Sequence, residues 1–312
     1  MKQFLQDVLT GLRSTPKYLQ SKYFYDKRGD ELFQDIMGCD EYYLTNCELE
    51  IFSEQTSALA EIIIGQHSNF DVVELGAGDA TKSVYLLKEL VNKKAISTYF
   101  PVDISNHIID LLHERLPEQV PHLHVHGLNG EYLEMLTSAK KISDKIKLVL
   151  FLGSNIGNIP LDGVPDFCKE FRSQLLPGDM VLIGFDLKKN PGQVLAAYND
   201  KNGHTREFNL NLLRRINREL QGDFSLDSFE HYATYDPLTG TCKSYLVSIK
   251  EQEIHIGDEL IYFERDETIF MEISQKYTVE QTDEIAVKTG FIPVGHFFDK
   301  NKWFVDVIWR CV

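Results

Sequence analysis

No stretch of the chain approaches the roughly 18 consecutive apolar residues that a membrane-crossing helix needs. Cysteine is sparse: five residues at 39, 47, 168, 242 and 311, odd in number, scattered, and never in a C-x-x-C pair. That pattern argues against a disulfide framework or a zinc ribbon and fits reduced thiols in a cytoplasmic protein. Basic residues are also in deficit. Thirty-two Lys and Arg face 47 Asp and Glu, a formal net charge of -15, which sets nucleic acid and anionic membranes aside as partners. The first 19 residues show no long apolar core and no small-residue cleavage site, so no secretion signal is expected. Internal repeats and low-complexity tracts are absent, which excludes solenoids. What remains is an ordinary globular composition, 43% hydrophobic over 312 residues, enough for one large domain or two smaller ones.

Apolar periodicity divides the chain. Residues 1–60 read as helices broken by turns. From about 60 to 190, strands ("FDVVELG", "AISTYFPVDIS", "LHVHGL", "IKLVLFLGS", "MVLIGFD") alternate with helices ("TKSVYLLKELVNK", "NHIIDLLHERLPE", "VPDFCKEFRSQLL"). That alternation predicts a doubly wound parallel α/β sheet. Beyond it, Leu212, Leu213, Ile216 and Leu220 share one helical face, with "RRINR" on the solvated side. "HYATYDPLTGTCKSYLVSIK" reads as a hairpin turning at Pro-Leu-Thr-Gly. The C-terminal residues read as two antiparallel strands around Asp-Lys-Asn-Lys. Such a pair appended to a parallel sheet is typical of S-adenosylmethionine methyltransferases.

The chemistry is concentrated in "DVVELGAGDATKS", residues 71–83. Here too something is missing. A phosphate loop, G-x-x-x-x-G-K-[ST], needs glycine at 81, and so does the dinucleotide turn G-x-G-x-x-G; Thr81 stands there. Asp79 also places negative charge where phosphates would sit. Both readings are weakened, and a third is adenosine bound without phosphate. Glu74 precedes the turn, near where a cationic amino-acid portion would lie. Asp103 ends the next strand, where a carboxylate accepts from both ribose hydroxyls. In Glu131-Tyr132 a carboxylate is available to an adenine amine and an aromatic ring to cover the base. The three alternate histidines of "HLHVHG", His122, His124 and His126, would share a strand face. They have no identifiable fourth ligand, and no metal is expected.

Read in order, "KYFYDKRGDELFQDI", "EYYLTNCELEIF", "VELGAGDATKS", "PVDIS", "FLGSNIGNI", "GFDLKKNP", "AYND" followed by "FNLNLLRRINREL", and "MEISQKY" resemble the histidine Nα-methyltransferases of ergothioneine biosynthesis. These convert histidine to hercynine, its trimethylated betaine. The resemblance runs from about residue 20 to the C-terminus. It implies a Rossmann-like class I methyltransferase core at 61–195 with 284–312. A second, α+β substrate-binding domain would comprise 1–60 with 196–283. The implied cosubstrate is S-adenosyl-L-methionine, the implied partner L-histidine, and the implied state a cytoplasmic monomer. Gly76, Lys82 and Asp103 match cofactor-contacting positions, and Glu131-Tyr132 falls where the family has Asp-Phe. Asn158 and Tyr198 match the grip on the substrate carboxylate, and Glu272 and Ser274 the pair that reads the imidazole. Phe33 and Tyr42 match pocket aromatics, as does Tyr25, the residue expected to orient the reacting amine. No nucleophilic serine or cysteine is expected, because methyl transfer is a direct in-line displacement. Relatives acting on another amino acid, or a non-catalytic amino-acid or adenosine-binding module, are the alternatives.

Overall fold

The computed structural model describes residues 2–312, which form two compact units. The larger comprises residues 44–188 and 275–312, the smaller the described residues up to 43 with 189–274.

The larger unit is built on one eight-stranded sheet. Across it run Phe291–Phe298, Phe304–Cys311, Met180–Asp186, Ile146–Phe151, Phe70–Leu75 and Ile96–Asp103, with the short pieces His124–Val125 and Leu128–Asn129 both on the outer edge of Ile96–Asp103. The central strands are parallel and buried on both faces, which is why "FDVVEL" and "MVLIGFD" read as near-continuous apolar runs. The final two strands are antiparallel, as expected. Their turn is held by Asp299, whose Oδ1 accepts from the amides of Trp303 and Phe304, each at 2.7 Å. From Phe70–Leu75 the chain steps outward through Ile96–Asp103, then returns to lay Ile146–Phe151 on the opposite side. The strand order therefore reverses between Phe70–Leu75 and Ile146–Phe151, where ligands of open α/β sheets bind.

The smaller unit is α+β. A four-stranded sheet, ordered Lys17–Tyr18, Thr268–Gln275, Thr241–Ser248, Phe229–Asp236, is joined by the hairpin Gln252–Ile256/Glu259–Phe263. The expected turn Pro237–Gly240 lies between Phe229–Asp236 and Thr241–Ser248. Helix His204–Leu220 buries Phe208, Leu212, Leu213, Ile216 and Leu220 in a core shared with Phe4, Phe24, Leu246 and Met271.

Several expectations differ from what is found. The chain divides at 43/44, 188/189 and 274/275 rather than near 60, 195 and 283. Helices Tyr43–Glu54 and Thr56–Gln66 pack with the large sheet's unit; Thr56–Gln66 lies on helix Ser83–Asn92 and strand Phe291–Phe298. Tyr277 is fully buried in the large unit's core and bridges Leu187, so both crossings start from adjacent points. "LHVHGL" is not one strand: His124–Val125 and Leu128–Asn129 pair separately with Ile96–Asp103, His126 and Gly127 interrupt them, and His122 just before takes a left-handed φ of 72°. Arg215 of "RRINR" is not simply solvated: its guanidinium lies 5.0 Å over the Phe4 ring and donates to the Tyr23 carbonyl at 3.0 Å.

Candidate active site

The glycine turn sits at the carboxyl end of Phe70–Leu75, at the point where the strand order reverses. Gly76 has φ 73° and Gly78 φ 52°, left-handed values that glycine adopts without penalty. A Cβ at Gly76 would fall 2.8 Å from Asn155 Nδ2 and 3.0 Å from the Tyr132 hydroxyl, so residue 76 must be bare. The amides around it are already engaged within the chain. Gly76 and Ala77 donate to the Val102 carbonyl at 2.8 and 3.1 Å, Gly78 to Asp103 Oδ2 at 3.2 Å, Ala80 to the Ala77 carbonyl at 3.1 Å and Thr81 to Asp79 Oδ1 at 3.1 Å. A phosphate cradle needs such amides turned toward the ligand, and this turn directs them to the neighbouring strand, to itself and to carboxylates. The phosphate readings fall on that geometry.

Asp103 meets the requirement of a diol. Its Oδ1 accepts from the Ser105 amide at 2.9 Å and its Oδ2 from Gly78, and the Ile104 amide also bonds the carboxylate, whose four lone-pair sites still leave room for a further donor. Burial raises the Asp103 pKa, opposed by these backbone bonds. The helix cap here is Ser105, whose hydroxyl accepts from Ile108 at 3.4 Å. Glu131 is exposed at the start of helix Tyr132–Ile142, and the Tyr132 ring stands edge-on to Phe151 at 5.4 Å with its hydroxyl toward Gly76. Glu74 does not reach toward a ligand. It is 3% exposed, bonded to the Tyr99 hydroxyl of the neighbouring strand, and burial pushes its pKa up to about 7. Asn158 is exposed, at the end of a single helical turn Asn155–Asn158 following Ile146–Phe151.

In the smaller unit the aromatics expected from the N-terminal region do converge. Tyr25 meets Phe33 edge-on at 5.8 Å, Phe33 meets Tyr42 at 6.3 Å, and Tyr42 meets Tyr198 at 6.4 Å. Phe208 joins them, 5.6 Å from Tyr25 and 5.8 Å from Phe33. The Tyr198 hydroxyl and Ser274 Oγ are buried and 2.7 Å apart. Glu272 lies two residues before Ser274 on strand Thr268–Gln275, Ser274 buried and Glu272 half-buried.

The whole chain, residues 4–311, matches the family described as histidine-specific methyltransferase, SAM-dependent. The chain belongs to that family. It is 31% identical over 303 residues to the histidine N-alpha-methyltransferase of Mycobacterium tuberculosis, covering 96% of this chain and 90% of that one. It is 32% identical to the enzyme of the same name from Mycolicibacterium smegmatis, covering 91% and 88%. It is 26% identical to an L-tryptophan methyltransferase of Psilocybe serbica, covering 94% and 89%. This methyltransferase thus carries a mostly parallel sheet ended by an antiparallel pair.

Four further residues of this methyltransferase were not singled out from the sequence. Asn155 closes on the Gly76 turn, although "FLGSNIGN" contains it. Phe208, hidden in an amphipathic helix, completes the aromatic cluster. Glu48 and Asp306 lie buried behind the turn. The expectation of no metal was argued from the scattered cysteines and from "HLHVHG". Among the described residues a different trio, Cys39, Asp200 and His204, brings donor atoms within 4.8 Å. Asp200 there accepts from the amides of His204 and Thr205 at 2.9 and 2.8 Å, and burial with surrounding carboxylates raises the Cys39 pKa. The trio reads as a helix cap beside a protonated thiol.

Proposed function

We propose that the enzyme methylates the α-nitrogen of L-histidine from S-adenosylmethionine, three times, giving hercynine for ergothioneine biosynthesis. The family match over residues 4–311 carries this reading. When bound, S-adenosylmethionine supplies a methyl group on a sulfonium. The protein's part is to bind, orient and exclude water. In this reading the bare Gly76 turn admits the donor closely, Asp103 accepts from its ribose, and Glu131 and Tyr132 flank its base. Lys82 bears on the donor's amino-acid end.

In the smaller unit, Glu272 accepts from the imidazole N–H, and the Tyr198–Ser274 pair supplies a donor to the substrate. In the larger unit, exposed Asn158 carries a further amide donor. Tyr25 orients the amine, whose lone pair must be free to attack. Tyr25, Phe33, Tyr42 and Phe208 keep the amine out of bulk water. A half-buried Glu272 disfavours substrates with purely apolar side chains, since its charge would lose its partner.

The test is to incubate the protein with S-adenosylmethionine and each of the twenty amino acids, and to read products by mass spectrometry. Histidine with one, two and finally three added methyl groups is expected. Methylation of tryptophan in preference to histidine would favour the second reading, prompted by the Psilocybe relative. Glu272→Ala is expected to weaken histidine binding by tenfold or more while leaving donor binding within about twofold; equal losses in both would contradict the assignment.

A further inference from the structure

Behind the glycine turn the large unit buries a charge cluster. Glu48 arrives from helix Tyr43–Glu54 and is 0% exposed. Its carboxylate pairs with Lys82, the residue leading into helix Ser83–Asn92, and accepts from the Gly153 amide at 2.8 and 3.0 Å. Lys82 closes the turn after Phe70–Leu75. Gly153 opens the turn after Ile146–Phe151, with φ 71°. One side chain from outside the sheet therefore ties together the two turns between which the strand order reverses.

Space has been made for it. A Cβ at Gly184 would lie 2.2 Å from Glu48 Oε1, so the carboxylate occupies the place of a side chain in strand Met180–Asp186. Gly184 is paired with Asp306 across the sheet, which puts a second carboxyl beside the first. With both ionised, no donor reaches either Asp306 oxygen. Burial and Glu48 raise the Asp306 pKa well above the ordinary value, and a proton held on Asp306 converts two repelling acceptors into a donor and an acceptor. Burial opposes the Lys82 ammonium, yet the charge and hydrogen bond of Glu48 hold its pKa above normal. The ammonium is thus held directionally by Glu48, with a side chain still 21% exposed.

We propose that Glu48 is a positioning residue for donor binding: it sets Lys82 and the Gly153 amide in fixed register on either side of the donor's site. This rests on the donor reading above and adds to it a residue that itself touches no substrate. Glu48 would then act on affinity through Lys82, and only weakly on the rate once the donor is bound.

Calorimetry with S-adenosylhomocysteine on the full chain tests this, with kcat at saturating S-adenosylmethionine as the second readout. Glu48→Gln keeps an acceptor for Gly153 but removes the charge that orients Lys82. Its Kd is expected to rise at least tenfold while kcat stays within about threefold. If Glu48 acts through Lys82, the double variant with Lys82→Met binds no worse than Lys82→Met alone. Fully additive losses, or a Glu48→Gln variant that binds as wild type, overturn the proposal. Should Glu48→Gln melt below assay temperature, Glu48→Asp carries the test: retracting the carboxylate by one methylene must cost tenfold, and unchanged affinity overturns the idea. Wild-type protein that fails to bind S-adenosylhomocysteine takes down the donor reading itself, whereas wild-type binding with an insensitive Glu48 removes only the positioning role.

Discussion

The Tyr198 hydroxyl and Ser274 Oγ share one hydrogen bond of 2.7 Å, buried, across 76 residues of sequence. Two hydroxyls bring two protons, and one of them lies between the oxygens. The pair therefore has at most one proton to donate beyond itself while the mutual bond lasts. Tyr198 was expected to serve a carboxylate and Ser274 an imidazole; both donating outward at once would break the bond they share. The two roles are coupled. Tyr198→Phe and Ser274→Ala should each raise the histidine KM about three- to tenfold, the scale of one neutral hydrogen bond. The double variant should cost less than the product of the two, with a coupling of about 1 kcal/mol. Strict additivity would show that the two hydroxyls act separately on the ligand.

Gly76 makes a sharper demand. Alanine there would take a left-handed φ at about 1–2 kcal/mol and drive its Cβ against Asn155 and Tyr132. Gly76→Ala is expected to weaken S-adenosylhomocysteine binding by tenfold or more, read by calorimetry. Histidine-site variants such as Ser274→Ala should leave that same affinity alone. A Gly76→Ala protein with wild-type donor affinity would mean the donor does not approach this turn.

A third expectation concerns the fold. Lys276 Nζ and Asp186 Oδ2 are 2.7 Å apart with neither side chain exposed. Lys276→Met leaves a buried carboxylate without its cation, which costs about 3–5 kcal/mol. Adding Asp186→Asn should recover part of that loss, because the remaining group no longer carries charge. Urea denaturation of the three proteins checks both steps; a single variant as stable as wild type would refute the argument.

The legible parts of this protein are those in which local pattern and tertiary role coincide. "FDVVEL" and "MVLIGFD" are buried on both faces, so composition alone marks them as central strands. Asp299 caps the terminal turn through its immediate neighbours, so Asp-Lys-Asn-Lys reads correctly. Glu48 is the opposite case. Its partners stand 34 and 105 residues away, and "NCELEIF" looks like any amphipathic helix. The assignment of helices Tyr43–Glu54 and Thr56–Gln66 is equally silent, because nothing local says which sheet an apolar helical face will meet. "HLHVHG" misled for a backbone reason: alternation assumes extended φ throughout, and His122 departs from it. Arg215 misled because a long side chain folds its charge over an aromatic ring from another element, a contact that periodicity does not record. Asp103 was legible from its place at the end of the next strand, whereas Tyr198, Glu272 and Ser274 were named through family motifs; the geometry adds that Tyr198 and Ser274 touch.

The last expectation is a pH dependence, and its sign follows from Glu74. Burial raises this carboxyl from 4.5 to about 7, against hydrogen bonds from Tyr99 and Ser83 and the charge of Lys82, with Glu48 adding to the rise. Between those two values the folded chain keeps a proton that the unfolded chain has released. Stability therefore falls as pH rises through that window, by about 3 kcal/mol for this group alone. Below 4.5 both states are protonated, and the penalty is absent. Other buried acids, Asp306 among them, slope the same way, so the wild-type curve alone does not isolate Glu74. Glu74→Gln does: the amide cannot ionise, and the variant should gain on wild type as pH increases from about 5 to about 8. Urea midpoints across that range measure the difference. Parallel curves for the two proteins would show that Glu74 titrates like an ordinary surface acid, and that Tyr99, Ser83 and Lys82 compensate its burial in full.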